Sequence, residues 1–330
     1  MKRAAVPSIL VVVVLLALGV TADAQQPAKI PRIGFLAVVP LATMPARVEA
    51  FRQGLRDLGY VEGKNIAIEW RSADGNPDRT ATLAAELVQS KVDIIVTAGS
   101  SATRHAKAAT VTTPIVMAQD GDPVANRFIA SLARPGGNIT GLSTLTPEIS
   151  GKRLELLKEI VPKLVRVAVF GTSITAEDAK SLEEVKLVAA ALKVQVQQVD
   201  VVTGKDIDPG FRAAIKGRAD AALWAASGSV VRPNRAQVIE LALKHRLPTM
   251  YTAADDWVEE GGLAAYGVSL TDLFRRAATF VDKILKGRTP ADLPVEQPTK
   301  FEFHINLKTA KQIGLTIPPN VLARVDKVIK

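Results

Sequence analysis

The sequence predicts an α/β fold made of two doubly wound parallel-sheet lobes joined by a hinge. Two observations carry this. Apolar, strand-like runs alternate with segments of helical periodicity almost without interruption, as in parallel sheets covered on both faces. The order strand, helix, strand spans Arg32–Arg71 and starts again over Arg166–Val202. A chain of 330 residues is long enough for two domains. Its hydrophobic share of 48%, with only 5% aromatics, suits the Val-, Ala- and Leu-rich cores of such sheets.

Arg32–Val38 (RIGFLAV) is the first strand. Arg47–Leu58 follows as a helix with Val48, Phe51, Leu55 and Leu58 on one side. Gly59 stands just past it, where a left-handed stop is expected. In Asn65–Arg71, Ile66, Ile68 and Trp70 alternate with Ala67, Glu69 and Arg71, which predicts a strand with a wetter face. Asp78–Ser90 reads as a helix, Asp93–Ala98 as a buried strand, Ser101–Ala109 as a helix and Pro114–Ala118 as a strand. Pro123–Leu132 reads as a short helix, and the turn Pro135-Gly136-Gly137-Asn138 leads into a strand near Ile139–Leu142.

The second unit begins with the helix Glu148–Ile160 and the strand Arg166–Phe170. The helix Ala176–Leu192, the strand Val194–Val202, a helix around Phe211–Lys216 and the strand Asp220–Ala226 follow. The helix Arg232–His245 and the strand Pro248–Thr252 complete the pattern. The tail is less regular. It holds a strand at Leu263–Tyr266, a long amphipathic helix at Ser269–Leu285 and a proline-containing connection at Gly287–Pro298. A strand at Phe301–Ile305, a helix at Leu307–Ile313 and a last helix ending near Ile329 close the chain. Elements supplied after both units predict a chain that crosses between lobes more than once.

The N-terminus reads as an export signal over residues 1–24. Lys2 and Arg3 give a positive start, and Ile9–Val20 is an uncharged apolar run. That run is short for a hydrocarbon core, which needs roughly 20 residues. Ala22-Asp23-Ala24 places small residues where a signal peptidase reads, so cleavage is expected before Gln25. The chain has no cysteine, which excludes lipoprotein acylation, disulfides, thiolate nucleophiles and cysteine-bound metals. The formal charge is +9, but the basic residues are mixed with acids, as in Lys152, Arg153, Glu155, Lys158 and Glu159. No basic stripe carries interleaved aromatics, so the charge reads as solvated surface and not as a nucleic-acid face. There is no glycine-rich dinucleotide fingerprint, P-loop, Gly-x-Ser-x-Gly elbow or His-Glu-x-x-His. No cofactor and no metal are expected. His105, His245 and His304 fall in expected helices or a strand and read as structural.

Ligands of open parallel sheets bind beyond the carboxyl ends of the strands. The loops there are Val39-Pro40, Gly99-Ser100-Ser101, Gln119–Pro123, Gly171-Thr172-Ser173, Ser227-Gly228-Ser229 and Ala253–Trp257. Ser100 and Ser101 sit at a strand-to-helix junction, where free N–H groups and the helix dipole favour an anion such as a carboxylate. Ordinary helix capping is the alternative for these serines. Thr172 and Ser173 invite the same two readings from the opposite lobe. Asp120 and Asp122 bracket Gly121, where an aspartate could meet a ligand ammonium or hydroxyl; alternatively Asp122 caps the helix beginning at Pro123. Asp255 offers a polar contact, and Trp257 offers either stacking or core packing. Trp224 reads as packing.

Several stretches resemble one family. They include EAFRQGLRDLGYVEGKNIAIEWR at 49–71, GDPVANRFIASLARPGGNITGLS at 121–143, SGKRLELLKEIVP at 150–162 and DLPVEQPTKFEFHINLKTAKQIGLTIPP at 292–319. The chain is similar over nearly its whole mature length to ABC-transporter substrate-binding proteins, the family that includes the tryptophan-binding receptors. The resemblance implies the type I periplasmic-binding-protein fold, with three crossovers and a cleft that closes on ligand. It implies a first lobe of residues 29–145 plus 268–293 and a second of 146–267 plus 294–330. It implies a site built from Ser100, Ser101, Asp122, Thr172, Ser173 and the Ser227–Ser229 loop. Phe170-Gly171-Thr172-Ser173 and Ala226-Ser227-Gly228-Ser229 depart from the asparagine- or aspartate-bearing versions commoner in the family. The expectation is a monomeric periplasmic receptor that captures a small carboxylate-bearing, amino-acid-like or aromatic ligand for an inner-membrane ABC permease. The alternatives are a cleft hydrolase or isomerase on the same scaffold, or a sensory ligand receptor.

Overall fold

A computed structural model describes residues 30–225, 228–231, 233–252 and 257–330. The expected export signal therefore lies outside the described residues. Strands β1 (Arg32–Ala37), β2 (Ala67–Ser72), β3 (Ile94–Ala98), β4 (Ile115–Asp120) and β5 (Ile139–Ser143) form a parallel sheet in the order β2-β1-β3-β4-β5. Helices α1 (Pro45–Asp57), α2 (Pro77–Gln89) and α3 (Ser100–Ala109) connect its first strands. α2 and α3 pack on one face through Leu87, Ala102 and Ala106. Val48, Phe51 and Leu55 of α1 pack on the other.

The second unit runs through α4 (Thr146–Ile160), β6 (Arg166–Gly171), α5 (Ala176–Ala191), β7 (Gln195–Asp200), α6 (Ile207–Lys216) and β8 (Ala221–Trp224). It continues with α7 (Gly228–Val231), α8 (Arg235–Lys244), β9 (Thr249–Tyr251) and β10 (Ala264–Val268). The chain then leaves as α9 (Leu270–Leu285) and returns as β11 (Phe301–Asn306), α10 (Leu307–Gln312), α11 (Pro319–Leu322) and β12 (Lys327–Ile329). The second sheet has the order β12-β11-β10-β9-β8-β6-β7. All its pairs are parallel except β10–β11. Two apolar clusters cover its faces, one around Leu157, Val169 and Val185, the other around Phe170, Phe211, Trp224 and Tyr251. Among the described residues, no helix is long and apolar enough to cross a membrane.

Two sequence expectations are corrected. Pro123–Leu132 is a series of turns and not a helix. Asp122 does accept the Ala125 N–H at 2.9 Å, but Arg127 takes a left-handed φ of 57° and ends the coil. Phe128 and Ile129 are thereby turned into the core. The chain also ends in a strand instead of a helix. Lys327-Val328-Ile329 extends the sheet beside β11, and the Asp326 carboxylate takes the Phe303 N–H at 2.8 Å. Two β-branched residues at an open sheet edge favour this pairing over a last helical turn.

α9 belongs with the first sheet in space, although it follows the second in sequence. Its Leu273, Phe274, Ala277 and Val281 share a core with Phe35 and Phe51. α1 and α9 approach closely at Gly54, where an added Cβ would lie 2.3 Å from the Arg275 carbonyl oxygen. Three connections cross between the sheets, and they hold one another. The Ser143 N–H donates to Glu296 O at 2.9 Å, and the Ser269 N–H to Lys300 O at 3.0 Å.

Arg153 of α4 braces this region. It is 1% exposed. Its Nε donates to Tyr266 O at 2.8 Å, Nη2 to Thr252 O at 2.7 Å and Nη1 to Ser150 Oγ at 3.2 Å. The sequence placed Arg153 among solvated surface charges. Its spacing from Ile149, Leu157 and Ile160, all buried, puts it on the inner side of α4 instead.

Two outcomes follow from this packing. Gly54→Ala should lower the urea unfolding midpoint, by about 1–3 kcal/mol in stability, because the added methyl strikes backbone. Helix propensity alone predicts the opposite sign, a gain of roughly 1 kcal/mol. Arg153→Met should cost about 1–3 kcal/mol for each of the two carbonyls it leaves unbonded, read by the same unfolding experiment.

Candidate functional site

A cavity of about 330 Å³ lies where the carboxyl ends of the two sheets face each other. Strand order places it there. In the first sheet the winding reverses between β1 and β3, and such a reversal opens a crevice above the strand ends. Val38 and Val39 follow β1 into this crevice, and Gly99, Ser100 and Ser101 follow β3. Glu177 and Asp178 face them from the first turn of α5 in the second sheet. Ile149 and Arg153 of α4, with Leu270 at the start of α9, form the hinge side.

α3 starts at Ser100 after Gly99, whose φ of 106° gives the sharp entry, and no side chain caps it. The helix therefore presents its positive end to the cavity without a protein side chain serving as cap. The Ser100 hydroxyl is engaged across the cleft, donating to Glu177 Oε2 at 3.0 Å. Ser101 lines the cavity one residue further.

An acidic group gathers beside this turn. Asp120, at the end of β4, is 1% exposed. Asn126 Nδ2 donates to Asp120 Oδ1 and to Glu177 Oε2, each at 3.1 Å, so one amide spans both lobes. Gly121 makes room for Glu177: a Cβ there would lie 1.6 Å from Glu177 Oε1. Burial, then the neighbouring Glu177 carboxylate, push Asp120 well above the usual carboxylate range. Burial also raises Glu177, against the Asn126 hydrogen bond and with the Asp178 charge. Asp120 Oδ2 has no hydrogen-bond partner.

The cavity also carries positive charge. Arg47, Arg104 and Arg153 line it. Burial without a carboxylate partner lowers the Arg153 guanidinium to about 9. Val38, Val39, Met44, Ile149 and Leu270 supply the apolar wall.

Ser100 and Ser101 are thus brought into the cavity, and Asp122 stands just outside it. Burial works upward on Asp122, but the Ala125 N–H and Lys180 outweigh it and leave its carboxyl low. Its partner Lys180 Nζ lies at 2.8 Å and also reaches Glu148 at 3.1 Å. Thr172 and Ser173 do not line the cavity. Thr172 is buried and accepts the Ile174 N–H at 3.2 Å, while Ser173 points to solvent. Ser227 and Asp255 lie outside the described residues. Trp257 is core, stacked on Tyr251 with ring centroids 4.5 Å apart. Sequence reasoning missed Thr175, Glu177 and Arg153. The rule that found Ser100 also applies to the first turn of α5, where Thr175 caps the Asp178 N–H at 3.1 Å.

The whole described core of the chain, residues 32–329, matches the family model for ABC transporter substrate binding proteins. A tyrosine-binding protein of Clostridioides difficile (strain R20291) is 25% identical over 283 residues, which span 86% of this chain and 81% of that protein. A conserved domain protein from Vibrio cholerae has a solved structure with a TM-score of 0.84 and 28% identity, covering 91% of this chain and 100% of that one. An ABC domain from Streptococcus pneumonia, solved in complex with L-Trp, gives a TM-score of 0.83 and 26% identity over 91% and 99% of the two chains. Two of these relatives are described by what they bind, one as a tyrosine-binding protein and one as a complex with L-Trp. The cleft between two doubly wound sheets is thus that of a binding protein, and the chain belongs to the ABC transporter substrate-binding protein family.

Proposed function

We propose that the protein is a periplasmic receptor that captures a small amino-acid-like ligand, aromatic ones included, and delivers it as a monomer to an ABC permease in the inner membrane. The observation that carries this reading is the charge layout of the cavity. Its walls hold both signs of charge beside an apolar surface. That suits a zwitterion with a hydrophobic side chain, and a volume near 330 Å³ falls in the usual range for small-ligand sites. The tyrosine-binding relative and the L-Trp complex support an aromatic amino acid. The ligand carboxylate belongs at the uncapped first turn of α3, on Ser101 and the backbone N–H groups, with Ser100 shared with Glu177.

Binding draws the lobes together, with the divisions read from the sequence, and Asp122–Lys180 adds a contact between them. Ser227 and Asp255 keep, in this reading, the ligand-contact roles expected from the sequence. The ligand pays for closure only through contacts that both lobes make at once.

A thermal-shift screen of amino acids and aromatic acids on refolded, ligand-stripped protein tests the reading. One class of ligand should raise Tm with concentration, by about 2.7 kcal/mol of stabilisation at a hundredfold excess over Kd. The Ser100→Ala/Ser101→Ala double variant should bind it about tenfold more weakly. Equal binding by that variant removes the carboxylate from α3. N-terminal sequencing of protein recovered from the periplasm should begin at Gln25, and an intact Met1 would refute the cleavable signal.

A further inference from the structure

We propose that the amino-end pole of the second sheet is a docking surface for an anionic lipid bilayer, separate from the ligand cleft. The cleft lies at the carboxyl ends of the strands, and this surface lies at their opposite ends.

β7, β6, β8 and β9 are neighbours in the sheet, and their first residues stand in one row. The Gln195 N–H donates to Val165 O, the Asp220 N–H to Arg166 O and the Ala222 N–H to Pro248 O, each at 2.8 Å. Helices α5, α4, α6 and α8 end just before these four strands. The junctions carry Lys193, Lys163, Lys216, Arg218, Lys244 and Arg246, all exposed. Strands about 4.8 Å apart bring these junctions within about 15 Å along the row. Among the described residues, none of the six side chains has an ion-pair partner. The acids at this end are already bonded. Asp220 takes the Val165 and Arg166 N–H groups at 2.8 Å, and Glu260 pairs with Arg235 at 2.6 Å.

Helix ends alone do not account for these cations. Lys216 and Lys244 lie in the last turns of α6 and α8, where one cation already complements the helix dipole. Lys193, Arg218 and Arg246 come two residues past their helices, with φ of 55°, 56° and 50°. The same position after α1, α9 and α10 is held by Gly59, Gly287 and Gly314, as left-handed backbone favours. Lys91, after α2, is the one comparable cation elsewhere among the described residues. Long basic side chains thus replace glycine along this row against the backbone preference.

Two apolar side chains stand open among the cations. Val165 is 58% exposed and Ile215 38%. A soluble polyanion makes no use of them. The boundary between lipid headgroups and acyl chains takes up cations and small apolar side chains together, and this mixture favours a bilayer.

Sedimentation of the full mature chain with vesicles tests the site, comparing phosphatidylglycerol mixed equally with phosphatidylcholine against phosphatidylcholine alone. The chain should bind the anionic vesicles and leave them as salt rises. Each Lys or Arg near such a surface strengthens adsorption about fivefold. Lys193→Gly/Arg218→Gly/Arg246→Gly should therefore weaken binding at least about tenfold. It should melt no lower than the wild type, because glycine suits these backbone angles. Lys64→Ala/Lys91→Gly/Arg288→Ala removes the same charge away from this pole and should weaken binding less than about twofold. Val165→Ser/Ile215→Ser should weaken it about threefold, with a melting curve showing the variant to be folded. Failure of the wild type to bind anionic vesicles, or equal losses in the two triple variants, would overturn the site. Unchanged vesicle binding by Val165→Ser/Ile215→Ser, together with full competition by polyglutamate, would make this a site for soluble polyanions and refute the bilayer.

Discussion

One buried guanidinium holds the geometry on which the cleft depends. Arg153 sits on α4, the first helix after the chain leaves the first sheet, and it reaches the end of β9 and the middle of β10. β10 leads directly into the second crossover, at Ser269. A shift of α4 would therefore move the exits of two crossovers together. Burying such a cation costs several kcal/mol, and backbone carbonyls offset it only in part. The direction of its shift, down to about 9, records that residual cost. The same residue forms part of the cavity wall, so hinge support and ligand environment are one structure and not two.

The contacts across the cleft differ in what they contribute. Lys180 meets Asp122 in an ion pair whose lysine is 41% exposed, and such pairs supply about 0–1 kcal/mol. Its use is to choose an alignment of the lobes. The bonds from Ser100 and Asn126 to Glu177 are more enclosed, and they bring its carboxylate beside that of Asp120. Neutral donors tolerate this arrangement; they do not make it favourable. A cleft built this way gains little from meeting by itself, which leaves room for a ligand to supply the difference.

Much of the fold was legible because its signals are periodic. β1, β3 and β6 are apolar on both faces and bounded by turns, and α9 carries its apolar stripe over four turns. What misled was local. Asp122 followed by Pro123 looks like a helix start, and only the tertiary burial of Phe128 and Ile129 decides against it. Residues 327–329 look helical until β11 offers an open edge. The site was legible by half, in Ser100 and Ser101, since the carboxyl end of β3 can be read from the strand alone. Glu177 was not. Its role depends on Gly121, in the other lobe and 56 positions away by numbering, having no side chain to exclude it.

The displacement of the second-lobe contacts from Thr172 and Ser173 to Thr175 and Glu177 has a simple cause. β6 ends at Gly171, and α5 begins only at Ala176. The intervening residues must turn the chain, and Thr172 spends its hydroxyl on that turn by accepting the Ile174 N–H. In the first lobe β3 ends at Ala98 and α3 begins at Ser100, with Gly99 alone making the turn through a positive φ. A one-residue junction leaves its serines at the mouth of the strand. A four-residue junction pushes that position on to the first turn of the helix, where longer side chains are needed to reach back. Glutamate is long enough to reach back and serine is not, so the lobe with the longer junction lines the cavity with a carboxylate.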